Sequence, residues 1–157
     1  MSKFRPVEGS ARVADARVAV VAARWNAQIT DSLLKAAVAT LDRHGLADEN
    51  IEIYRVPGAF ELPLACARLA RRGELDGIVA LGCVIRGDTP HFDYVCEACT
   101  SGLARVALDS GLPIGFGVLT CDNLGQAELR AGDNHDNKGE EATLAVLEMI
   151  SLLRKIG

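Results

Sequence analysis

The sequence predicts a three-layer α-β-α sandwich built on a four-stranded parallel sheet with helices on both faces. Two observations carry this prediction. Short apolar runs alternate along the chain with longer segments of helical periodicity, and two of those runs are apolar throughout, which is typical of strands buried on both faces. Alternation of this kind indicates right-handed crossovers between parallel strands.

The first half of the chain contains two predicted strands, each followed by a predicted helix. RVAVVAA is a continuous apolar run, whereas IEIYRV alternates as a half-buried strand does. Gly45 is a natural stop for the first helix, and Pro57-Gly58 ends the second strand. The predicted elements of this half are a strand at 17–23, a helix at 31–44, a strand at 51–56 and a helix at 60–72.

The second half continues the alternation and ends in two helices. GIVALGCVI is the second doubly buried run, and a polar turn at 86–90 separates it from the next helix. The last helix carries a single apolar stripe, and a polar break at 132–137 precedes it. The predicted elements of this half are a strand at 77–85, a helix at 91–110, a strand at 113–119 and helices at 123–131 and 138–155.

The predicted order of elements is that of a flavodoxin-like fold. We find no internal repeat or low-complexity segment, so we predict one domain over residues 1–157, with 1–16 as an extended N-terminal arm. In such sheets ligands bind at the carboxyl ends of the strands. The residues that directly follow each strand are therefore the first candidates for a functional site.

Composition restricts the classes of partner. The formal charge is 17 − 21 = −4, spread along the chain, which argues against nucleic acid and anionic membranes as partners. No apolar stretch is long enough for a transmembrane helix, and residues 1–8 lack the apolar run of a signal peptide. The five cysteines are an odd number and favour reduced, mostly buried thiols, so we expect a cytoplasmic protein.

The ends of the first two predicted strands carry an aromatic ring and a carboxylate. Trp25, the one tryptophan of the chain, could stack on a flat heterocycle or could fill core or interface volume. Glu61 lies in the first turn of a predicted helix, where a carboxylate favours the helix dipole. It could equally accept hydrogen bonds from a ligand. Both interpretations stay open for each residue.

The end of the third predicted strand is the most informative segment. Arg86-Gly87-Asp88-Thr89-Pro90 leads into a helix whose free N–H groups could bind an anion, and His91 stands in its first turn. An imidazole there could exchange protons near neutral pH, although an ordinary surface histidine is the alternative.

The last predicted strand and its following segment supply weaker candidates. Phe116 lies within the strand and is a core residue by default. Arg130 and Lys138 flank the polar break and could clamp a phosphate, with solvated surface charge as the alternative.

Five motifs in order make the sequence resemble the lumazine synthase family from about residue 18 to the C-terminus. The pair VPGAFE and GCVIRGDTPHFDYV is highly specific at this spacing. The motifs are ARWN at 23–26, VPGAFELP at 56–63, ALGCVIRGDTPHFDYV at 80–95, GFGVLT at 115–120 and NKGEEA at 137–142.

The resemblance implies an enzyme, a transferase of the penultimate step of riboflavin biosynthesis. The reaction is condensation of 5-amino-6-(D-ribitylamino)uracil with 3,4-dihydroxy-2-butanone 4-phosphate, without cofactor or metal. The resemblance implies catalytic roles for His91 and Arg130. It implies substrate-binding roles for Trp25, Asn26, Ala59, Phe60, Glu61, Val84, Ile85, Gly87, Asp88, Thr89, Phe116, Lys138 and Glu141.

Within that set the resemblance distinguishes several tasks. It implies that Trp25, where the family more often has Phe, stacks on the pyrimidinedione. It implies that Arg130 and the amides of 87–89 bind phosphate, and that His91 shuttles protons. Asp88 is an anionic side chain beside the phosphate, so we expect it to point away.

The resemblance also implies an assembly with active sites between subunits. Phe116 is then supplied by a neighbouring subunit of a pentamer or of a pentamer-based shell. The segment 133–136 (DNHD) replaces a more basic stretch in many relatives and lies near contacts between pentamers. The choice between a pentamer and a larger shell therefore stays open.

Two other classes of function compete with this interpretation. The first is a metal or redox protein that uses His91, Cys96 and Cys99, but its C-x-x-C lies well inside the predicted helix and no second pair is present. The second is a non-catalytic binder of lumazine or flavin on the same scaffold, since fold does not fix function.

Overall fold

The computed structural model describes residues 3–157 and contains a four-stranded sheet of strand order β2-β1-β3-β4. All of the paired strands run parallel. The elements are β1 (Val18–Ala23), α1 (Ala27–Arg43), β2 (Ile51–Val56), α2 (Leu62–Ala70), β3 (Gly77–Ile85), α3 (His91–Ser110), β4 (Ile114–Cys121), α4 (Leu124–Arg130) and α5 (Lys138–Ile156).

The sheet separates two apolar layers, because successive side chains of a strand point to opposite faces. Val20 of β1 and Leu81 of β3 pack with α1 and α5 on one face. Val21 of β1 and Ala80 of β3 pack with α2 and α3 on the other face. Every residue of β1 is buried, as expected for a central strand covered on both sides. The predicted three-layer sandwich is confirmed.

Most element ends agree with the sequence prediction to within two residues. α2 is two residues shorter at each end than the predicted 60–72, because Ala59–Glu61 forms a 3₁₀ turn before it. α1 begins at Ala27, four residues before the predicted start, because Asn26 adopts a left-handed conformation with φ 60° and turns the chain directly into the helix. β4 extends to Cys121, two residues beyond the prediction, because its ladder with β3 continues until Cys121 pairs with Ile85.

The segment before β1 lies along α5. The predicted arm starts with Met1 and Ser2, which lie outside the described residues. Ser10 N donates to Ser151 Oγ at 3.1 Å, and Lys155 Nζ donates to the Glu8 carbonyl at 2.7 Å. Val13, further along the segment, is buried in the core beneath α1 and α5.

Two further properties of the described residues bear on the predictions. No helix within 3–157 is long and apolar enough to span a bilayer. All five cysteines are free thiols, four of them buried and Cys96 half-buried, which confirms the expectation of mostly buried thiols.

Candidate active site

A cavity of about 470 Å³ opens at the carboxyl ends of β1 and β3. These two strands are neighbours, and the chain crosses to opposite edges of the sheet from them, so the cavity lies at the topological switch point. Its volume suits a small organic ligand. Its walls are Trp25, Asn26, Ala59, Phe60, Glu61, Cys83, Val84, Ile85, His91, Tyr94 and Val95.

Trp25 forms one aromatic wall and is held by contacts with the end of β2. Its backbone N–H donates to the Pro57 carbonyl at 3.0 Å, which extends the β1–β2 pairing beyond the strands. The indole lies against Gly58, where a Cβ atom would stand 2.5 Å from Trp25 Cε3. The side chain remains 62% exposed, so the ring is available to a ligand rather than used as core volume in this chain.

Asn26 links the two strands that border the cavity. Its left-handed backbone redirects the chain from β1 into α1. Its Nδ2 donates to the Cys83 carbonyl at 2.8 Å, so the amide group joins the ends of β1 and β3. A non-glycine residue with positive φ costs free energy, and this side-chain bond offsets part of the cost.

Glu61 places an unpartnered carboxylate oxygen in the cavity wall. The residue ends a 3₁₀ turn, Ala59–Glu61, that leads into α2. Its Oε2 atom is buried and has no hydrogen-bond partner among the described residues. A buried acceptor without a donor is unfavourable, so the Glu61 carboxylate has hydrogen-bonding capacity that the described residues leave unused. Phe60, 62% exposed, adds a second ring beside it.

His91 and the loop at 87–90 form the third wall and its rim. α3 begins at His91, so the loop leads directly to the free N–H groups of a helix of 20 residues. The backbone N–H of His91 lies 3.4 Å from Thr89 Oγ1, and the backbone N–H of Asp93 donates to the Pro90 carbonyl at 3.0 Å. Gly87, Asp88 and Thr89 are exposed and flank the cavity without lining it.

Besides the loop residues Gly87, Asp88 and Thr89, four candidate site residues lie outside the cavity of their own chain. Phe116 is on β4, 41% exposed, in a separate apolar groove with α3 and α5. Lys138 and Glu141 pair with each other at 2.9 Å in the first turn of α5. Arg130 ends α4 close enough to Cys121 for its charge to favour the thiolate, although burial outweighs it and the pKa of Cys121 is raised.

Three cavity residues were not among the predicted site residues. Tyr94 and Val95 follow His91 by three and four positions on α3, a spacing that puts them on the same helix face. Helical periodicity could therefore have identified both. Cys83 faces the cavity from β3, and burial, with a smaller effect of Cys121, raises the pKa of its thiol to about 12.

The residues of the competing metal or redox interpretation are not gathered into a site. Within 3–157 no three His, Cys, Asp or Glu side chains form a group that could hold a metal ion. Cys99 is fully buried, and desolvation raises the pKa of its thiol to about 11. A thiol of this kind is a poor nucleophile at neutral pH.

Comparison with known proteins agrees with this geometry. The sequence model of the 6,7-dimethyl-8-ribityllumazine synthase family matches residues 15–154. A protein of Desulfovibrio desulfuricans named 6,7-dimethyl-8-ribityllumazine synthase is 49% identical over 156 residues, which cover 99% of this chain and 100% of that protein. A match of this extent and identity is decisive, and the chain belongs to the 6,7-dimethyl-8-ribityllumazine synthase family.

Proposed function

We propose that this chain condenses 5-amino-6-(D-ribitylamino)uracil with 3,4-dihydroxy-2-butanone 4-phosphate, giving 6,7-dimethyl-8-ribityllumazine, phosphate and water, the penultimate step of riboflavin biosynthesis. The observation that carries the proposal is the cavity at the switch point. It brings Trp25, Glu61 and His91, which follow three different strands, to one surface. A flat ring, a hydrogen-bond acceptor and a proton carrier are what this transferase chemistry requires.

The pyrimidine substrate occupies the cavity in this proposal. The exposed indole of Trp25 stacks on the ring, and the exposed Phe60 lines the same cavity. The unpartnered Oε2 of Glu61 accepts a hydrogen bond from a ribityl hydroxyl. Backbone groups of Val84 and Ile85, at the end of β3, form hydrogen bonds with the edge of the pyrimidine ring. The remaining walls, Asn26 and Ala59, shape the space for the ribityl chain.

The phosphate of the second substrate binds at the loop before α3. Backbone N–H groups of 87–89 and the positive end of the α3 dipole favour an anion there. Asp88 contributes its amide rather than its carboxylate. Arg130, whose cationic group lies near the end of β4, supplies a second positive charge. Lys138, paired with Glu141 in the first turn of α5, adds a further polar group in this proposal.

His91 moves the protons. The substrate amine attacks the ketone and the adduct loses water to a Schiff base; a C–H proton and the phosphate then leave, and ring closure releases a second water. Each elimination needs a proton taken up or delivered beside the phosphate. The imidazole stands in the first turn of the phosphate-binding helix and lines the cavity. The bond changes need no oxidant, so acid/base chemistry and positioning suffice.

A homo-oligomer completes the site. The groove around Phe116 has a volume of about 450 Å³ and is lined mainly by apolar side chains, including the exposed Leu108 and Met149. An apolar face of this kind favours a second copy of the chain. In a pentamer or a pentamer-based shell, Phe116 of one subunit then faces the cavity of the next. The free thiols favour a cytoplasmic location, and residues 1–157 form one domain in this proposal.

The test is lumazine formation, followed by absorbance with purified protein and both substrates. We expect product faster than in the protein-free mixture, and we expect His91→Gln to lower kcat by about 100-fold while sparing pyrimidine binding. His44→Gln is the matched control. His44 follows the C-terminal end of α1, whereas the N-terminal end of that helix borders the cavity. Pyrimidine or flavin binding without turnover in the unsubstituted protein would contradict the proposal and favour a non-catalytic binder.

A further inference from the structure

Arg86 connects the elements on both sides of the loop at 87–90. Its Nε donates to Asp122 Oδ1 at 2.9 Å, directly after β4. Its Nη1 lies 3.5 Å from Asp93 Oδ1 in the first turn of α3. Its guanidinium carbon stands 4.4 Å from the centroid of the Phe92 ring, and its backbone N–H donates to the Cys121 carbonyl at 2.8 Å.

The positions of these partners bear directly on His91. Phe92 and Asp93 follow His91 in the chain, so the guanidinium contacts the two residues that fix where the first turn of α3 begins. Asp122 fixes the other side of the guanidinium to the end of β4. Arg86, which directly precedes the loop at 87–90, therefore contacts the helix that follows the loop and joins both to the end of β4.

The same contacts argue against a direct role of Arg86 in binding phosphate. Its charge is shared between two carboxylates and an aromatic face, and these contacts hold the guanidinium between Asp122 and Asp93 with two of its five N–H donors. Both ion pairs are exposed, with 47%, 63% and 65% of the side chains of Arg86, Asp93 and Asp122 accessible, and exposed pairs contribute little to stability. The ion pairs instead fix the relative positions of the loop and the first turn of α3. Small displacements of a binding group can lower the rate by large factors.

We infer that Arg86 is a positioning residue that sets the loop at 87–90 and His91 for phosphate binding and elimination, through Asp122, Phe92 and Asp93. The inference rests on the proposed function and adds a residue to it. Arginine suits this task because its planar fork reaches two carboxylates and stacks on a ring at once. Lysine would retain the charge but not this combination of contacts.

The experiment measures KM for each substrate and inhibition by inorganic phosphate in Arg86→Gln, Arg86→Lys, Asp122→Asn and the double variant Arg86→Gln/Asp122→Asn. We expect Arg86→Gln to raise KM for the butanone phosphate about tenfold and to weaken phosphate inhibition similarly, with KM for the pyrimidine within about twofold. Arg86→Lys should fall between Arg86→Gln and the unsubstituted protein. Asp122→Asn should act in the same direction, and the double variant should resemble Arg86→Gln, because the two residues act as one unit.

Arg105→Gln is the matched control, because it removes an exposed Arg–Asp pair from the opposite half of α3. We expect it to leave both KM values unchanged. Equal rises in both KM values, complete rescue by lysine, or additive effects in the double variant would overturn the inference. Failure of the proposed function is a separate result, since it would appear as absent turnover in the unsubstituted protein.

Discussion

Gly58 has no room for a side chain, because the indole of Trp25 lies where its Cβ atom would be. The separation would be 2.5 Å to Cε3 and 2.7 Å to Cζ3, well inside van der Waals contact. The φ of Gly58 is −148°, so the backbone itself would accept another residue. The constraint is therefore the close approach of the ring, and Gly58 determines where the exposed indole stands.

We expect Gly58→Ala to displace Trp25 and raise KM for the pyrimidine about tenfold, since a stacking contact is worth about 1 kcal/mol or more. KM for the butanone phosphate should change little. Because Trp25 is the one tryptophan, its fluorescence reports the displacement directly. Gly87→Ala serves as the fluorescence control, since nothing lies within 4 Å of the added Cβ. Unchanged fluorescence in Gly58→Ala would contradict the argument.

For single residues, the sequence identifies which side chains lie at the strand ends but not what they touch. Trp25 and His91 were predictable because each directly follows an apolar run or a polar turn. The Trp25–Gly58 contact joins residues 33 positions apart by the numbering and depends on how β1 and β2 pair. No local pattern contains that information, and the same holds for the bond from Asn26 to the Cys83 carbonyl.

The two asparagines that cap α5 and α4 differ in the contacts that they make beyond their own helix. Asn137 caps α5 by accepting from the Gly139 and Glu140 N–H groups at 2.8 and 3.2 Å. Its Nδ2 also donates to the Gly132 carbonyl at 3.0 Å, and the residue is 4% exposed. Asn123 caps α4 through one bond, to the Gln126 N–H at 2.9 Å, and is exposed.

We expect Asn137→Ala to lower the free energy of unfolding by about 2 kcal/mol and Asn123→Ala by about 0.5–1 kcal/mol. The difference arises because the first substitution leaves buried donors and an acceptor unpaired. Urea unfolding of both variants at one protein concentration measures it. Equal losses in the two variants would show that the buried bonds of Asn137 add nothing to an ordinary cap.

Element ends were predictable where a boundary residue, such as proline or a charged residue, coincides with the end of a periodic or apolar run. The bounds of β3 were predicted correctly because GIVALGCVI follows a polar stretch and is itself followed by Arg86. The start of α3 was correct because Pro90 precedes it. The start of α1 was missed because AQIT shows no clear helical stripe, and because a left-handed asparagine is set by its contact with β3 rather than by its own sequence.

At the scale of the whole molecule, the cavity and Phe116 lie on different surfaces of one chain, so only an assembly can bring them together. If a neighbour supplies Phe116, subunits that lack His91 and subunits that lack Phe116 should complement each other. We expect His91→Gln and Phe116→Ala homo-oligomers to be weakly active. Mixed oligomers formed by co-refolding should regain up to about a quarter of the activity, because a quarter of the interfaces pair two intact halves. No gain on mixing would place Phe116 outside the active site.

The buried thiols predict how the stability of the whole fold depends on pH. Desolvation, with a smaller effect of the neighbouring Cys99, raises the pKa of Cys66 from 9.0 to about 12. Burial also raises the pKa of Cys83 to about 12 and that of Cys99 to about 11. The folded chain therefore holds these protons at a pH where the unfolded chain has released them. The contribution of these buried thiols to the free energy of unfolding is present below pH 9 and is lost as pH rises toward 12.

Removing one of these thiols should flatten the alkaline loss of stability. Cys66→Ala leaves a small cavity between α2 and α3, so it should be less stable than the unsubstituted protein at pH 8. Between pH 9 and 11 that deficit should shrink by roughly 1 kcal/mol per pH unit, the contribution of one proton. Urea unfolding at pH 8, 9, 10 and 11 measures the change. Cys96→Ala is the comparison, because burial raises the pKa of this half-buried thiol less, so its deficit should shrink less. A deficit that stays constant across this range would mean that the Cys66 thiol ionises alike in the folded and unfolded chain.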